Sequence, residues 1–314
     1  MPRTITVGLD GSAESRAAAE WAAREAQLRG LPVKLVHVWE PVPEPMAQAP
    51  LLGAETHQHW TELSEMGVPP AEGWERIPRE SAEGLRLRHP GVEVTTEQLT
   101  GVPAEALVSA AKDAEMLVLG SRGLGGIGGF LVGSVGLSVV ARTERPVVLV
   151  RAGEQAADEH EMDPAGIPSA ATPFRPVLLG LDVSRPSAAP IEFAFEAAAR
   201  RSVPLRVVHG WNRPPYYAYG MALEPAVQRE MAKGVAAALT EALTPWRQKY
   251  PDVEVVERSR CGSPSLLLID ASSEASLVVV GRRIRRSSVG AHIGSVTHAV
   301  LHHATAPVAV VAHD

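Results

Sequence analysis

The sequence predicts an α/β protein built from two tandem copies of an open, mostly parallel five-stranded sheet with helices on both faces. Three observations carry this. The chain aligns with itself over most of its length. Within each copy, short β-branched runs alternate with Ala-rich helical stretches, the order that implies parallel pairing through right-handed crossovers. Aromatic residues make up only 4% of the 314 residues, and small side chains let helices lie close on a sheet.

The self-alignment sets the organisation. VGLDGSAESRAAAEWAAREAQLRGLPVKLVHVW (7–39) matches LGLDVSRPSAAPIEFAFEAAARRSVPLRVVHGW (179–211) at fourteen of thirty-three positions without a gap. Gly8 and Gly180, Asp10 and Asp182, His37 and His209, and Trp39 and Trp211 coincide. GVPAEALVSAAKDAEMLVLG (101–120) matches GSPSLLLIDASSEASLVVVG (262–281), and PVVLV (146–150) matches PVAVV (307–311). The offset is 172 early and 161 late, so the first copy carries eleven extra residues in its middle. The expected organisation is a domain at 1–151, a linker at 152–173 that is acidic, small and Pro-bearing, and a second domain at 174–314.

In the first copy TITVGL (4–9) is short, apolar and β-branched, which predicts a buried strand. Residues 13–29 place Ala17, Trp21, Ala22 and Leu28 at near-helical spacing, and VKLVHV (33–38) is the second strand. PVPEPMAQAP (41–50) holds four prolines and is expected to be loop, with a weaker helix within 54–88. A strand at 92–99, a helix at 103–113, a strand at 116–119, a helix at 134–142 and a strand at 146–150 complete the unit. Ligands of such sheets bind beyond the C-terminal ends of the strands, where Asp10 and Gly120 both fall.

Composition narrows the function. A formal charge of −6 argues against a duplex nucleic-acid surface. No apolar run approaches the ~20 residues of a membrane helix, and the N-terminal residues lack the form of a signal peptide, so a cytoplasmic protein is expected. The single Cys261 excludes an internal disulfide and is expected to be a small residue near a strand end.

The Gly-dense stretch GSRGLGGIGGFLVGS (120–134) follows a strand and opens a helix. Bare backbone N–H groups and the partial positive charge of a helix start suit a phosphate, and Ser134 stands where an N-cap belongs. A Walker A loop needs Gly-Lys-Ser/Thr at its end, and no Lys occurs here. The dinucleotide pattern G-x-G-x-x-G is met by Gly123, Gly125 and Gly128, but after the fourth strand rather than the first and with no acidic residue ending the next strand. A third pattern, G-x2-G-x9-G-S, is met by Gly120, Gly123, Gly133 and Ser134.

With Asp10 ending the first strand, VGLDGS, LVLGSRG, GSV and the closing PVVLV, the chain resembles the universal stress protein family, as a tandem pair of the kind found in actinobacteria and related bacteria. The resemblance covers nearly the whole chain. It implies an adenine-nucleotide alpha-hydrolase-like fold and bound ATP, alone or with Mg2+, although no carboxylate can be assigned to that metal. It assigns the adenine end to Asp10 and the backbone of Val38, and ribose and phosphates to Gly120, Arg122, Gly123, Gly133, Ser134 and Val135. Asp10 alone would be read as a turn residue bonding its own backbone.

The second copy, GRRIRRSSVGAHIGS (281–295), departs from the pattern. The corresponding residues are Asp182, Gly210, Gly281, Arg283, Gly294, Ser295 and Val296, with Ile284 in place of the second Gly. This predicts a weaker or altered second site. Arg282, Arg283, Arg285 and Arg286 are either a solvated basic loop or side-chain substitutes for backbone phosphate contacts.

His57 and His59, and His302 and His303, do not have the spacing that puts two imidazoles on one helix face, so no metal is expected. His37 and His209 alternate with apolar residues and are expected to pack or bond locally. PYYAYG (215–220) is expected to lie over the site or form a partner surface. The resemblance, together with these features, implies a nucleotide-sensing regulatory module in the stress response, with an unidentified protein partner and no catalytic residue assigned. The last strands, PVVLV and PVAVV, are apolar candidate edges, and the resemblance implies that the two copies pair through them as an intrachain pseudo-dimer, with a homodimer of the whole chain expected. The alternatives are a slow ATPase, autophosphorylating or nucleotidyl-transfer enzyme, and a nucleotide-free scaffold.

Overall fold

Val-, Ile- and Leu-rich runs become buried parallel strands when helices cover both faces of a sheet. The computed structural model of this chain shows that arrangement and describes residues 3–40, 70–123, 130–212, 224–284 and 293–314. The first copy contains β1 (Thr4–Leu9), α1 (Ala13–Arg29), β2 (Val33–Trp39), α2 (Pro70–Arg88), β3 (Val94–Thr100), α3 (Pro103–Ala111), β4 (Ala114–Gly123), β5 (Phe130–Leu131), α4 (Ser134–Arg142) and β6 (Val147–Arg151). The second contains β7 (Val177–Gly180), α5 (Ala188–Arg201), β8 (Leu205–Trp211), α6 (Pro225–Lys249), β9 (Val255–Cys261), α7 (Pro264–Ser272), β10 (Leu277–Arg283), α8 (Ser295–His303) and β11 (Val308–His313). The Pro-rich stretch 41–50, the pair His57 and His59, and PYYAYG lie outside the described residues. Among the described residues no helix is long and apolar enough to cross a membrane.

All ten main strands form one sheet in the order β3-β2-β1-β4-β6-β11-β10-β7-β8-β9. Among these ten strands pairing is parallel within each copy and antiparallel where β6 meets β11, with Ala309 opposite Val148. The second copy thus repeats the first in mirrored strand order, and the intrachain pseudo-dimer pairs through PVVLV and PVAVV as expected. Val147 and Leu149 face one apolar layer while Val148 and Val150 face the other, the alternation a strand buried on both faces requires.

The copies are also joined by charge. Glu25 of α1 is 1% exposed and bonds Arg29 at 2.5 Å and Arg201 of α5 at 2.6 Å. Arg29 and Arg201 are equivalent positions in the repeat, whereas the counterpart of Glu25 is Ala197. One carboxylate therefore bridges two arginines that the pseudo-symmetry brings together. Burial raises its pKa, but Arg201 and Arg29 outweigh burial and hold it below the usual carboxylate range. Segment 152–173 adds to this layer: its 3-10 helix at Ala156–Glu159 presents Glu159 to Arg24 at 2.6 Å.

Candidate functional site

The first-copy site forms where the chain leaves β1 and β4 and enters α1 and α4. A cavity of about 320 Å3 is lined by Asp10, Val38, Gly120, Gly133, Ser134 and Val135, together with Ser12, Glu14 and Pro103. Six of the eight residues expected there are thus brought together. Arg122 and Gly123 end β4, where their backbones pair antiparallel with Leu131 and Phe130. This corrects the expected strand end at residue 119: β4 continues to Gly123 and β5 returns along it, so only 124–129 separate the two, and these lie outside the described residues.

Three expectations about individual residues change. The N-cap of α4 is Gly133, not Ser134, which is the first helical residue; no side chain caps the helix. Gly120 is required by packing, because a Cβ there would lie 2.5 Å from the carbonyl carbon of Glu14. Asp10 makes the turn bonds that its position alone suggests, with Oδ1 accepting from the Ser12 amide at 3.0 Å and the Ser12 hydroxyl at 2.5 Å. Its exposed carboxylate still borders the cavity. Asp182 repeats this with Ser184, at 3.0 and 2.7 Å.

Gly133 and Gly294 are different. Their φ values are −61° and −60°, open to any residue, and a Cβ at either would meet nothing within 4 Å. Neither backbone conformation nor packing within the described chain requires glycine at these helix starts.

The second-copy cavity is larger, about 610 Å3, and contains Asp182, Gly210, Gly281, Arg283, Gly294 and Val296; Ser295 begins α8 beside it without lining it. The difference in size starts in the sequence. Pro190 is the third residue of α5, and in a helix begun at residue 185, as α1 begins at the equivalent Ala13, it would stand in the interior and clash with the carbonyl of residue 186. Pro186 also disfavours helical backbone at Arg185. The helix therefore starts at Ala188, after a turn closed by the Arg185 amide donating to the Asp182 carbonyl at 3.2 Å. Gly281 lies under His313 instead of under helix backbone, with Nε2 2.9 Å from its would-be Cβ. Arg185 and Pro186 join the lining. The -R-P-S-A-A-P- run was the signal for this, and the sequence reading passed over Arg185.

Ile284 does not take left-handed backbone: among non-glycine residues only Ser202 is described with positive φ. Its amide donates to the His313 carbonyl at 2.6 Å. Gly210, the counterpart of Val38, lets Pro264 approach, since a Cβ would lie 2.6 Å from the Pro264 Cα. Of the four arginines, Arg285 and Arg286 lie outside the described residues. Arg282 is 5% exposed and donates to the Thr143 carbonyl of the first copy at 2.6 Å, a bolt between copies rather than part of a solvated loop. Burial pushes its guanidinium pKa down, and the Glu144 carboxylate opposes this. Arg283 is exposed at the cavity rim.

His37 and His209 bond locally as expected, their Nδ1–H groups donating to the carbonyls of Leu9 and Leu181 at 2.9 and 2.8 Å. His209 also reaches the second cavity. A pair of imidazoles on one helix face does exist: His298 and His302 of α8 have ring centroids 4.4 Å apart, and the reading missed it by pairing His302 with His303. Among the described residues no group of three or more possible metal ligands converges. Cys261 is the exposed last residue of β9.

The model of the universal stress protein family matches residues 1–151 and 173–312. A universal stress protein of Mycolicibacterium smegmatis is 35% identical over 317 aligned residues, covering 98% of this chain and 96% of that protein. One from Mycobacterium tuberculosis is 34% identical over 313, with the same coverage. The crystal structure of a universal stress protein from Archaeoglobus fulgidus shares the fold at a TM-score of 0.64 and 17% identity, covering 99% of this chain and 98% of that one. The fold, the repeat and these matches agree: the chain belongs to the universal stress protein family, as a tandem pair of its domains.

Proposed function

We propose that this chain binds ATP at the C-terminal edge of its sheet and acts in the cytoplasm as a nucleotide-sensing regulatory module of the stress response. The observation that carries this is the bare backbone at Gly133 and Gly294, each at a helix start, each with ordinary φ and open space where a side chain would stand. The unbonded N–H groups of a first helical turn favour an anion, and an absent side chain lets phosphate approach them. Asp10 and Asp182 offer an acceptor for a nucleoside across each cavity, and both volumes fall in the range that holds small ligands, roughly 300–1,000 Å3. Mg2+ would then be held chiefly by the phosphates. Residues 1–151 and 174–314 would act as two domains joined by 152–173, and occupancy would shift how the chain meets a protein partner or a second copy of itself.

The test is to purify the protein without added nucleotide, quantify adenine nucleotide released on denaturation, and titrate the protein with ATP. The double variant Gly133→Val/Gly294→Val should still fold, with a small drop in Tm because Val is a poorer N-cap than Gly, and lose binding. A wild-type protein that neither carries nor binds ATP would overturn the proposal, as would full binding by the variant.

A further inference from the structure

The two cavities differ in charge as well as in size. Around the first, the described lining carries the carboxylates of Asp10 and Glu14 and no cationic side chain. Around the second it carries Arg185, Arg282 and Arg283, against the carboxylates of Asp182 and Asp314. Repeat equivalence shows where the change arises: Arg185 replaces Ala13, Pro186 replaces Glu14 and Arg282 replaces Ser121. Arg122 and Arg283 are equivalent and so do not contribute to it.

The three arginines are not alike. Arg282 is committed to the Thr143 carbonyl. Arg185 and Arg283 are exposed, lie on the turn before α5 and at the end of β10, and have no side-chain partner among the described residues. Asp182, the nearest carboxylate in sequence to Arg185, already accepts from the Ser184 amide and hydroxyl. Guanidinium groups form charge-assisted, often bidentate bonds to phosphate oxygens. The missing first turn of α5 leaves room for an extended ligand where Glu14 backbone fills the first copy.

We infer that the second cavity, not the first, is the tighter polyphosphate site of this chain, taking a nucleoside di- or triphosphate whose terminal phosphates are held by Arg185 and Arg283. This rests on the nucleotide-binding reading above and reverses the ranking that the glycine motifs suggest. The first cavity, acidic in its described lining, takes a nucleotide with less dependence on phosphate number.

The full chain is titrated with ATP, AMP and adenosine, as wild type, as Arg185→Ala/Arg283→Ala and as Gly133→Val. Each lost charge-assisted bond is expected to weaken ATP about tenfold, so the double variant loses about a hundredfold in the tight phase, while adenosine affinity changes less than about threefold. Gly133→Val leaves the tight ATP phase in place. A tight phase that survives the arginine variant and disappears in Gly133→Val overturns the inference and keeps the nucleotide reading. Equal losses for ATP and adenosine also overturn it, since the arginines would then be shaping the pocket rather than holding phosphate. No binding of any of the three by the wild type overturns both.

Discussion

The two copies share a strand order, an Asp-x-Ser turn and a Gly-Ser helix start, yet their cavities are built differently. In the first, α1 begins at Ala13 and its backbone at Glu14 packs against Gly120. In the second, α5 begins three equivalent positions later, Gly281 meets an imidazole, and the cavity is about 610 rather than 320 Å3. The same glycine in the same motif is thus fixed by different neighbours. A motif that is complete by letter is not therefore the better site, because two prolines and one arginine outside the glycine pattern decide how much room and how much positive charge a copy offers.

The strongest way to break the comparison is at the point where pseudo-symmetry fails. Glu25 has no counterpart opposite, where Ala197 stands, and it pairs with both Arg29 and Arg201, whose side chains are 3% and 0% exposed. Glu25→Ala leaves two buried arginines facing each other. Removing one partner of a buried ion pair costs about 3–5 kcal/mol, so urea unfolding should show a loss of that order. A change under about 1 kcal/mol would mean that water reaches the cluster.

The next effect is set by pH. Burial, then Glu159 and Asp158, push the Glu154 carboxyl up to about 8, with Arg24 and Arg151 opposing. Its folded-state pKa lies above the ordinary 4.5, so between these values the folded chain holds a proton that the unfolded chain has released. This contribution is present at low pH and is lost as pH rises through that window. Glu25 works in the opposite direction: its lowered pKa contributes stability above the ordinary carboxylate range that is lost in acid. Tm measured across the window should fall with rising pH in the wild type, and Glu154→Gln should flatten that part of the profile.

Much of this was legible in the sequence because each copy confirmed the other. The order of elements along the chain and the positions of Asp10, Gly133, Asp182 and Gly294 follow from the repeat and from hydrophobic period, and the pairing through PVVLV and PVAVV follows from the family resemblance. What was not legible depends on contacts with no counterpart inside one copy. Arg282 sits in a run of arginines and looks solvated, but the antiparallel joint of β6 and β11 brings Thr143 to it. Glu25 lies in an ordinary Ala-rich helix and acquires its role only when α5 brings Arg201 beside it. The Glu14 contact at Gly120 depends on where a helix starts to within one turn, which periodicity does not resolve.

Glycine substitutions sharpen the comparison most directly. Gly120→Ala drives a methyl into the Glu14 main chain, 2.5 Å from its carbonyl carbon and 2.7 Å from its carbonyl oxygen, and backbone cannot step aside without shifting α1. Overpacking of this kind costs about 1–3 kcal/mol. Gly281→Ala is the smallest effect. The methyl would lie 2.9 and 3.0 Å from the far edge of the His313 ring and 3.6 Å from Pro190 Cγ. His313 is the last residue of β11, partly exposed, and its ring can rotate away, so a loss within about 0.5 kcal/mol is expected. Parallel urea titrations of the two variants decide the matter. If they are equally destabilised, the imidazole is held as firmly as helix backbone and the second cavity is rigid there. If Gly281→Ala is near neutral while Gly120→Ala is not, the second cavity has a movable wall, and its capacity for an extended ligand comes from the chain that α5 leaves out of its first turn.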